Sequence, residues 1–375
     1  MKVIILGSAH PLRGGLATYN ERLAREYMAQ GHEVVIYTFS LQYPDFLFPG
    51  TTQYSDQPAP KDLNIKVAVN SINPLNWLLV GNEIKKLNAD LLLIKFWLPF
   101  MAPCLGTIAR IVKGNGKTKV ISVIDNIIPH EKRPGDFAFA KYFVNNVDGF
   151  IAQSKSVLED LNQFDNSKPK VFSPHPLYDN FGDAMNKAEA KAAIGLDANT
   201  NYALFFGFIR DYKGLDLLLQ ALATEQVRKL DFKLIVAGEF YSDSKPYLDL
   251  IKTLQLDDKV ILRTDFIPDD KVRFYFCASD IVIQPYKHAT QSGVTQICYH
   301  FNKPMLVTNV GGLSEIVPHE KVGYVAEPNV ESIASYTAKF YTENKEQLFI
   351  ENIKEEKKKY SWRAMLDSIA KVAGF

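Results

Sequence analysis

Cysteine is scarce: Cys104, Cys277 and Cys298 are the only three in 375 residues. Odd in number, far apart and set among apolar residues, they read as core thiols of a reducing compartment and not as a disulfide framework. No CxxC or HExxH spacing occurs, which argues against a protein-held zinc site. No GxGxxG follows the first apolar run, so a dehydrogenase is the least favoured enzyme reading. An excess of one charge is also lacking. Lysine plus arginine (43) nearly cancels aspartate plus glutamate (42), and no basic field recruits nucleic acid. No apolar run approaches the ~20 residues of a membrane span, and residues 3–6 are too few for a signal-peptide core. The expectation is a cytoplasmic protein, open to peripheral contact with the inner membrane surface.

What is present is apolar and aromatic: 47% hydrophobic residues, 12% of the chain Phe, Trp or Tyr. That composition buries well, and the length is too great for one core, so two domains are expected. Residues 3–6 read as a first buried strand, and the loop SAHPLRGGL leads into a helical pattern with Leu16, Tyr19, Leu23 and Tyr27 on one face. Residues 33–38 form the next strand, a Rossmann-like βαβ opening with adjacent glycines, Gly14 and Gly15, before the helix. Arg13 beside them is either a ligand contact or a solvated charge. Further strands are expected at 65–69, 91–96, 119–124 and 149–152, alternating with helical stretches, hence a parallel sheet. The run FWLPFMAPCLGTIARIV (96–112) reads as a buried helix, with a membrane-surface segment flanked by lysines as the alternative.

Ligands of open α/β sheets gather at the carboxyl ends of strands. Asp125, Asn126, His130 and Glu131 follow the strand at 119–124 and offer groups suited to hydroxyls of a sugar or similar polyol; Asp125 could instead be a cap or turn residue. The proline-rich segment 171–182 reads as an interdomain connection, and 183–199 as helical. A second sheet is expected from strands at 203–206, 233–237, 260–263, 280–284, 304–308 and 323–325. Within it lies QPYKHATQSGVTQICYHFNKPMLVTNVGGLSEIV, with two strand–loop–helix units. Free N–H groups at the two helix starts would bind an anion, most often phosphate; the plainer alternative is two ordinary βα turns.

Four stretches in this order, RGGLATYNERLAREYMAQGHEV, FFGFIRDYKGLDLLLQAL, VAGEF and the QPYKHATQSG run, resemble the GT-B glycosyltransferases, and more narrowly the retaining family 4 (group 1) enzymes that use nucleotide sugars. The resemblance covers essentially the whole chain. It implies two Rossmann-like β/α/β domains facing across a cleft. The first, 1–175, would be the acceptor-side domain, with a last helix, 360–375, crossing back to it; the second, 183–357, would hold the donor. It further implies Arg210 and Lys213 as paired cations on the donor diphosphate. Gly14, Gly15, Gly238, Glu239, Phe266, Ile267, Thr290, Gln291, Ser292, Gly293 and Val294 would line the donor, with Asp125 near the donor sugar or the acceptor hydroxyl. No metal, cofactor or enzyme nucleophile is expected.

Two departures stand out. The family's pair of glutamates eight positions apart falls here on Ala289 and Ile297 or on Thr290 and Cys298, with Gln296 as a further hydroxyl partner nearby. The strand-end position where many members carry histidine is Asp125. The leading expectation is transfer of a sugar to a glycan or lipid-linked glycan in lipopolysaccharide or capsule assembly. A sugar-nucleotide epimerase and a catalytically silent homologue acting as a binding subunit remain the alternatives.

Overall fold

The computed structural model describes every residue except 45–51, 56, 130–132, 242 and 290–291. The chain folds as two units, Met1–Pro174 with Trp362–Phe375, and His175–Ser361.

The first unit is built on a seven-stranded sheet of order β3-β2-β1-β4-β5-β6-β7. Its strands are β1 (Lys2–Leu6), β2 (Glu33–Leu41), β3 (Ile65–Asn70), β4 (Leu91–Phe96), β5 (Lys119–Ile124), β6 (Gly149–Ala152) and β7 (Lys170–Phe172), every pairing parallel. Between them run α1 (Gly15–Ala29), α2 (Pro74–Lys86), α3 (Ala102–Lys113), α4 (Asp136–Asn145) and α5 (Lys155–Asn162). Parallel strands need both faces covered, which is why they read as continuous apolar runs. Strand β4 shows the division of labour. Leu92, Ile94 and Phe96 enter the core under α2 to α5, where Phe96 stacks on Phe143 at 4.2 Å. Leu91 and Leu93 enter the opposite core with Tyr19, Leu23 and Tyr27 of α1.

That second core is completed by the last helix, Trp362–Ala373, through Trp362, Met365, Leu366, Ile369 and Val372. The Trp362 ring lies 5.2 Å from Tyr19, and the Arg22 guanidinium caps it at 5.1 Å.

Within 96–112, Phe96, Met101, Cys104, Leu105, Ile108 and Val112 are fully buried, Trp97, Leu98 and Phe100 are half-buried, and Arg110 is exposed. The exposed aliphatic side chains of the unit lie instead on and beside α2, where Leu75 and Leu79 are each 71% exposed. The three cysteines are free and buried. No helix among the described residues is long and apolar enough to cross a membrane.

The second unit carries a six-stranded parallel sheet, β10-β9-β8-β11-β12-β13. Its strands are β8 (Tyr202–Phe206), β9 (Lys233–Ala237), β10 (Val260–Arg263), β11 (Ile281–Gln284), β12 (Met305–Thr308) and β13 (Gly323–Ala326). Two helices are shorter than the sequence suggested. In 183–199 only Lys187–Ala193 is helical: Asn186 caps its start and Gly195, at φ 67°, turns the chain away just after its end. After Gly311-Gly312 the helix is a single turn, Leu313–Ile316, because Val317 precedes Pro318 and leaves the helical region (ψ 89°). One turn makes no anion-binding helix start, so only one of the two anticipated N-termini exists.

Ile369 is fully buried beneath the sheet. Ile369→Ala should destabilise the first unit by about 2–5 kcal/mol. Hydrogen exchange would show it: amides of β1 and β4 speed up while those of β8 and β9 keep their rates. Equal acceleration in both sheets would contradict the assignment of this helix to the first core.

Candidate functional site

In the second unit the order of strands reverses between β8 and β11, and the loops following these strands and β9 carry the candidate residues. The loop after β8 is fixed by backbone contact on two sides. A Cβ at Gly238 would lie 2.4 Å from the Gly207 carbonyl oxygen, and one at Gly214 would lie 1.9 Å from that of Pro285. No other residue allows these approaches, and both glycines have positive φ. Hydrogen bonds from Ile209 N to Glu239 O (2.8 Å) and from Tyr241 N to Ile209 O (3.0 Å) tie the β8 and β9 loops together.

This anchoring sets the two cations. The Arg210 guanidinium lies flat on Tyr241, 3.6 Å from the ring centroid, and Phe208 meets the same ring edge-on. Lys213 is buried, with its ammonium 5.7 Å from the Tyr286 ring centroid. Burial, and then the Arg210 charge, push Lys213 down to about 8. The acids of the loop are engaged elsewhere: Lys287 holds Asp211 at 2.7 Å and Asp216 at 3.0 Å. Among the described residues no carboxylate pairs with Arg210 or Lys213.

Tyr286 connects these cations to a helix start. Its hydroxyl is 3.2 Å from the Ser292 hydroxyl, and Ser292 caps the helix Gly293–His300 by accepting from Val294 N at 3.2 Å. Its carbonyl accepts from the Thr308 hydroxyl at 2.5 Å. One tyrosine thus brings a desolvated ammonium and a positive helix end to the same place, a geometry suited to a polyanion.

The remaining expected residues divide. Gly293 and Val294 lie in the first turn of this helix; Thr290 and Gln291 fall outside the described residues. Glu239 is half-buried and Phe266 is 62% exposed, whereas Ile267 packs against the core. Ile297 and Cys298 are buried, and Gln296 is 1% exposed with neither amide atom bonded, so none of them presents an acid in place of the family's glutamates.

In the first unit Gly14 and Gly15 are exposed at the start of α1; Gly14 (φ 100°) occupies the cap position without a side-chain bond. Arg13 is exposed and donates to Thr52 O at 3.1 Å. Asp125 ends β5 and Asn126 beside it is half-buried; His130 and Glu131 lie outside the described residues. Sequence reasoning missed the partner of Asp125. Lys95, in the apolar strand LLLIKF, reaches it at 2.6 Å and reaches Gln153 Oε1 at 2.6 Å. A lone lysine inside a buried run was the available signal. No cluster of three or more His, Cys, Asp or Glu placed to hold a metal occurs among the described residues.

A model of the group 1 glycosyl transferases matches residues 186–358, and one of the family 4 glycosyltransferases matches residues 13–174. The chain belongs to the group 1, family 4 glycosyltransferases. These are GT-B enzymes that take their sugar from a nucleotide donor. This glycosyltransferase is 22% identical to the uncharacterized glycosyltransferase MJ1178 of Methanocaldococcus jannaschii over 374 residues, 99% of this chain and 97% of the relative. It is 29% identical to the uncharacterized glycosyltransferase MJ1607 of the same organism over 189 residues, covering 49% of this chain and 46% of the relative. Among solved structures, Anabaena Alr3699/HepE in complex with UDP matches with a TM-score of 0.73 and 16% identity over 100% of both chains, a likeness of fold.

The lowered value of Lys213 has a consequence for stability. Below about 8 the native state carries this ammonium at a cost that the unfolded chain, titrating near 10.5, does not bear. Lys213→Met should therefore stabilise the glycosyltransferase by about 2–3 kcal/mol at neutral pH. The gain should shrink as pH rises through 8 and vanish near 10.5. Urea midpoints of the two proteins across that range test this; a variant no more stable at neutral pH contradicts it.

Proposed function

We propose that this glycosyltransferase binds the diphosphate of its nucleotide sugar between Arg210, Lys213 and the start of the helix Gly293–His300, and passes the sugar to a hydroxyl of a glycan or lipid-linked glycan. The observation that carries the reading is the pair of cations without carboxylate partners, one of them buried, beside a capped helix end. Glycosyl transfer builds negative charge on the departing diphosphate. Fixed cations and N–H groups stabilise that charge more in the transition state than in the ground state, which is how they accelerate the reaction. Arg210 can engage two phosphate oxygens at once, and Lys213 acts as a point charge. In this reading Tyr241 keeps the guanidinium from folding away before the donor arrives.

Gly238, Glu239, Phe266 and Ile267 belong on the nucleoside side of the donor, and Thr290, Gln291 and Ser292 on the phosphate and sugar side. To Asp125, Asn126, His130 and Glu131 we assign hydroxyl contacts with the acceptor or the transferred sugar. A uridine donor is the first to try, because HepE has been solved with UDP and with UDP-glucose. Assembly of lipopolysaccharide or another cell-surface glycan is the setting we favour. The similar fold of WaaG, a glycosyltransferase involved in lipopolysaccharide biosynthesis, supports it. The reading includes retention of configuration without an enzyme nucleophile, supported by the resemblance to retaining family 4 enzymes.

A thermal-shift panel of uridine, guanosine, adenosine and thymidine diphosphates and their sugars tests the donor site. A ligand that binds only the native state raises the melting temperature. One nucleotide series should do so, and Arg210→Ala and Lys213→Ala should each weaken its binding at least about tenfold, ~1.4 kcal/mol. Absence of any shift would favour the silent homologue, which loss of the glutamate pair, to Ala289 and Ile297 or to Thr290 and Cys298, would then explain.

A further inference from the structure

Lys95 lies near the carboxyl end of β4, beside the point where the strand order of the first sheet reverses, and is only 3% exposed. Burying an ammonium costs several kcal/mol unless it is fully paired. A leucine or methionine here would fold more cheaply, so the charge calls for an explanation. Its three N–H bonds have three partners from three other elements. Asp125 Oδ1 after β5 and Gln153 Oε1 after β6 are each 2.6 Å away, and the Tyr19 ring of α1 lies 3.8 Å below the nitrogen. The ammonium is therefore saturated and fixed.

Asp125 is not. Its side chain is 25% exposed, and no hydrogen bond reaches Oδ2 among the described residues. The pair thus leaves one carboxylate oxygen without a protein partner among the described residues, at the rim where ligands of such sheets bind. We propose that Lys95 is a positioning residue that holds the Asp125 carboxylate aimed, so that its second oxygen can accept a hydrogen bond from a hydroxyl of the sugar or acceptor. The part concerning the hydroxyl rests on the functional reading above; the coupling of the two side chains does not.

The groups facing Lys95 are few. Among the described residues Asp125 is the one carboxylate, Tyr19 contributes a phenol, and Gln153 is neutral. Arg22, the nearest cation on α1, is turned onto Trp362. Burial lowers the Lys95 pKa and Asp125 opposes that shift. Loss of Asp125 would leave the buried Lys95 ammonium without its counterion.

Lys95→Met, Asp125→Asn and the double variant of the full chain test the proposal. The first readout needs no substrate. In protein carrying isotope-labelled lysine, the Lys95 Nζ–Cε resonance is identified by its loss in Lys95→Met and then titrated. In Asp125→Asn its midpoint should fall by about one pH unit or more, because burial remains and the counterion is gone. An unchanged midpoint overturns the coupling. The second readout is nucleotide release from UDP-glucose as donor probe. Each single variant should lower kcat about tenfold or more with little change in donor KM, and the double variant should be no worse than the singles. A folded Lys95→Met with wild-type kcat overturns the positioning role. If UDP-glucose neither binds nor turns over, the uridine donor reading fails, while the lysine titration still decides whether the two residues act as a unit.

Discussion

Parallel pairing of short strands is the constraint from which both candidate sites arise. A parallel ladder must be buried on both faces, and each return crossing is a helix laid over one face or the other. Where the strand order reverses, neighbouring crossovers go to opposite faces and leave a crevice at the carboxyl ends. In the first sheet that point lies between β1 and β4, and it gathers Lys95, Asp125, Gln153 and the start of α1. In the second it lies between β8 and β11, and it gathers the Arg210–Lys213 loop, Tyr241 and the capped helix at Ser292. The polar residues differ, but the topology that collects them is the same.

The two sites use buried lysine in opposite ways. Lys95 is surrounded by acceptors, so its charge is spent on a neighbour and serves to hold that neighbour. Lys213 has an aromatic face and a nearby guanidinium but, among the described residues, no carboxylate partner, so its charge stays available to an incoming anion. Lys287 holds Asp211 and Asp216, the acids nearest these cations in sequence. Desolvation is common to both lysines; the placement of acids decides what each can do.

The strands were legible because a doubly covered strand is apolar along its length, and every one anticipated in the sequence has a counterpart in the two sheets. Arg210 and Lys213 were legible through motif resemblance. Tyr241 was not, because it meets Arg210 only through the parallel pairing of β8 with β9, and no local pattern records that. Lys95 was overlooked for a related reason: its meaning comes from the ends of β5 and β6, which are distant in sequence. The single turn at Leu313–Ile316 shows the reverse error, a helical pattern cut short by Pro318. His130, Glu131, Thr290 and Gln291 lie outside the described residues and stay expectations from the sequence.

The helix Trp362–Ala373 belongs to the core of the first unit, although the whole second unit is encoded before it. On a ribosome adding ~5–20 residues per second, the part of the sheet face over β5 and β6, with Ile121, Val123 and Ile151, waits on the order of tens of seconds for its cover. During that interval the nascent chain carries an open apolar surface, and the second unit can complete its own sheet first. The core of the first unit is therefore complete only once the whole second unit has been made.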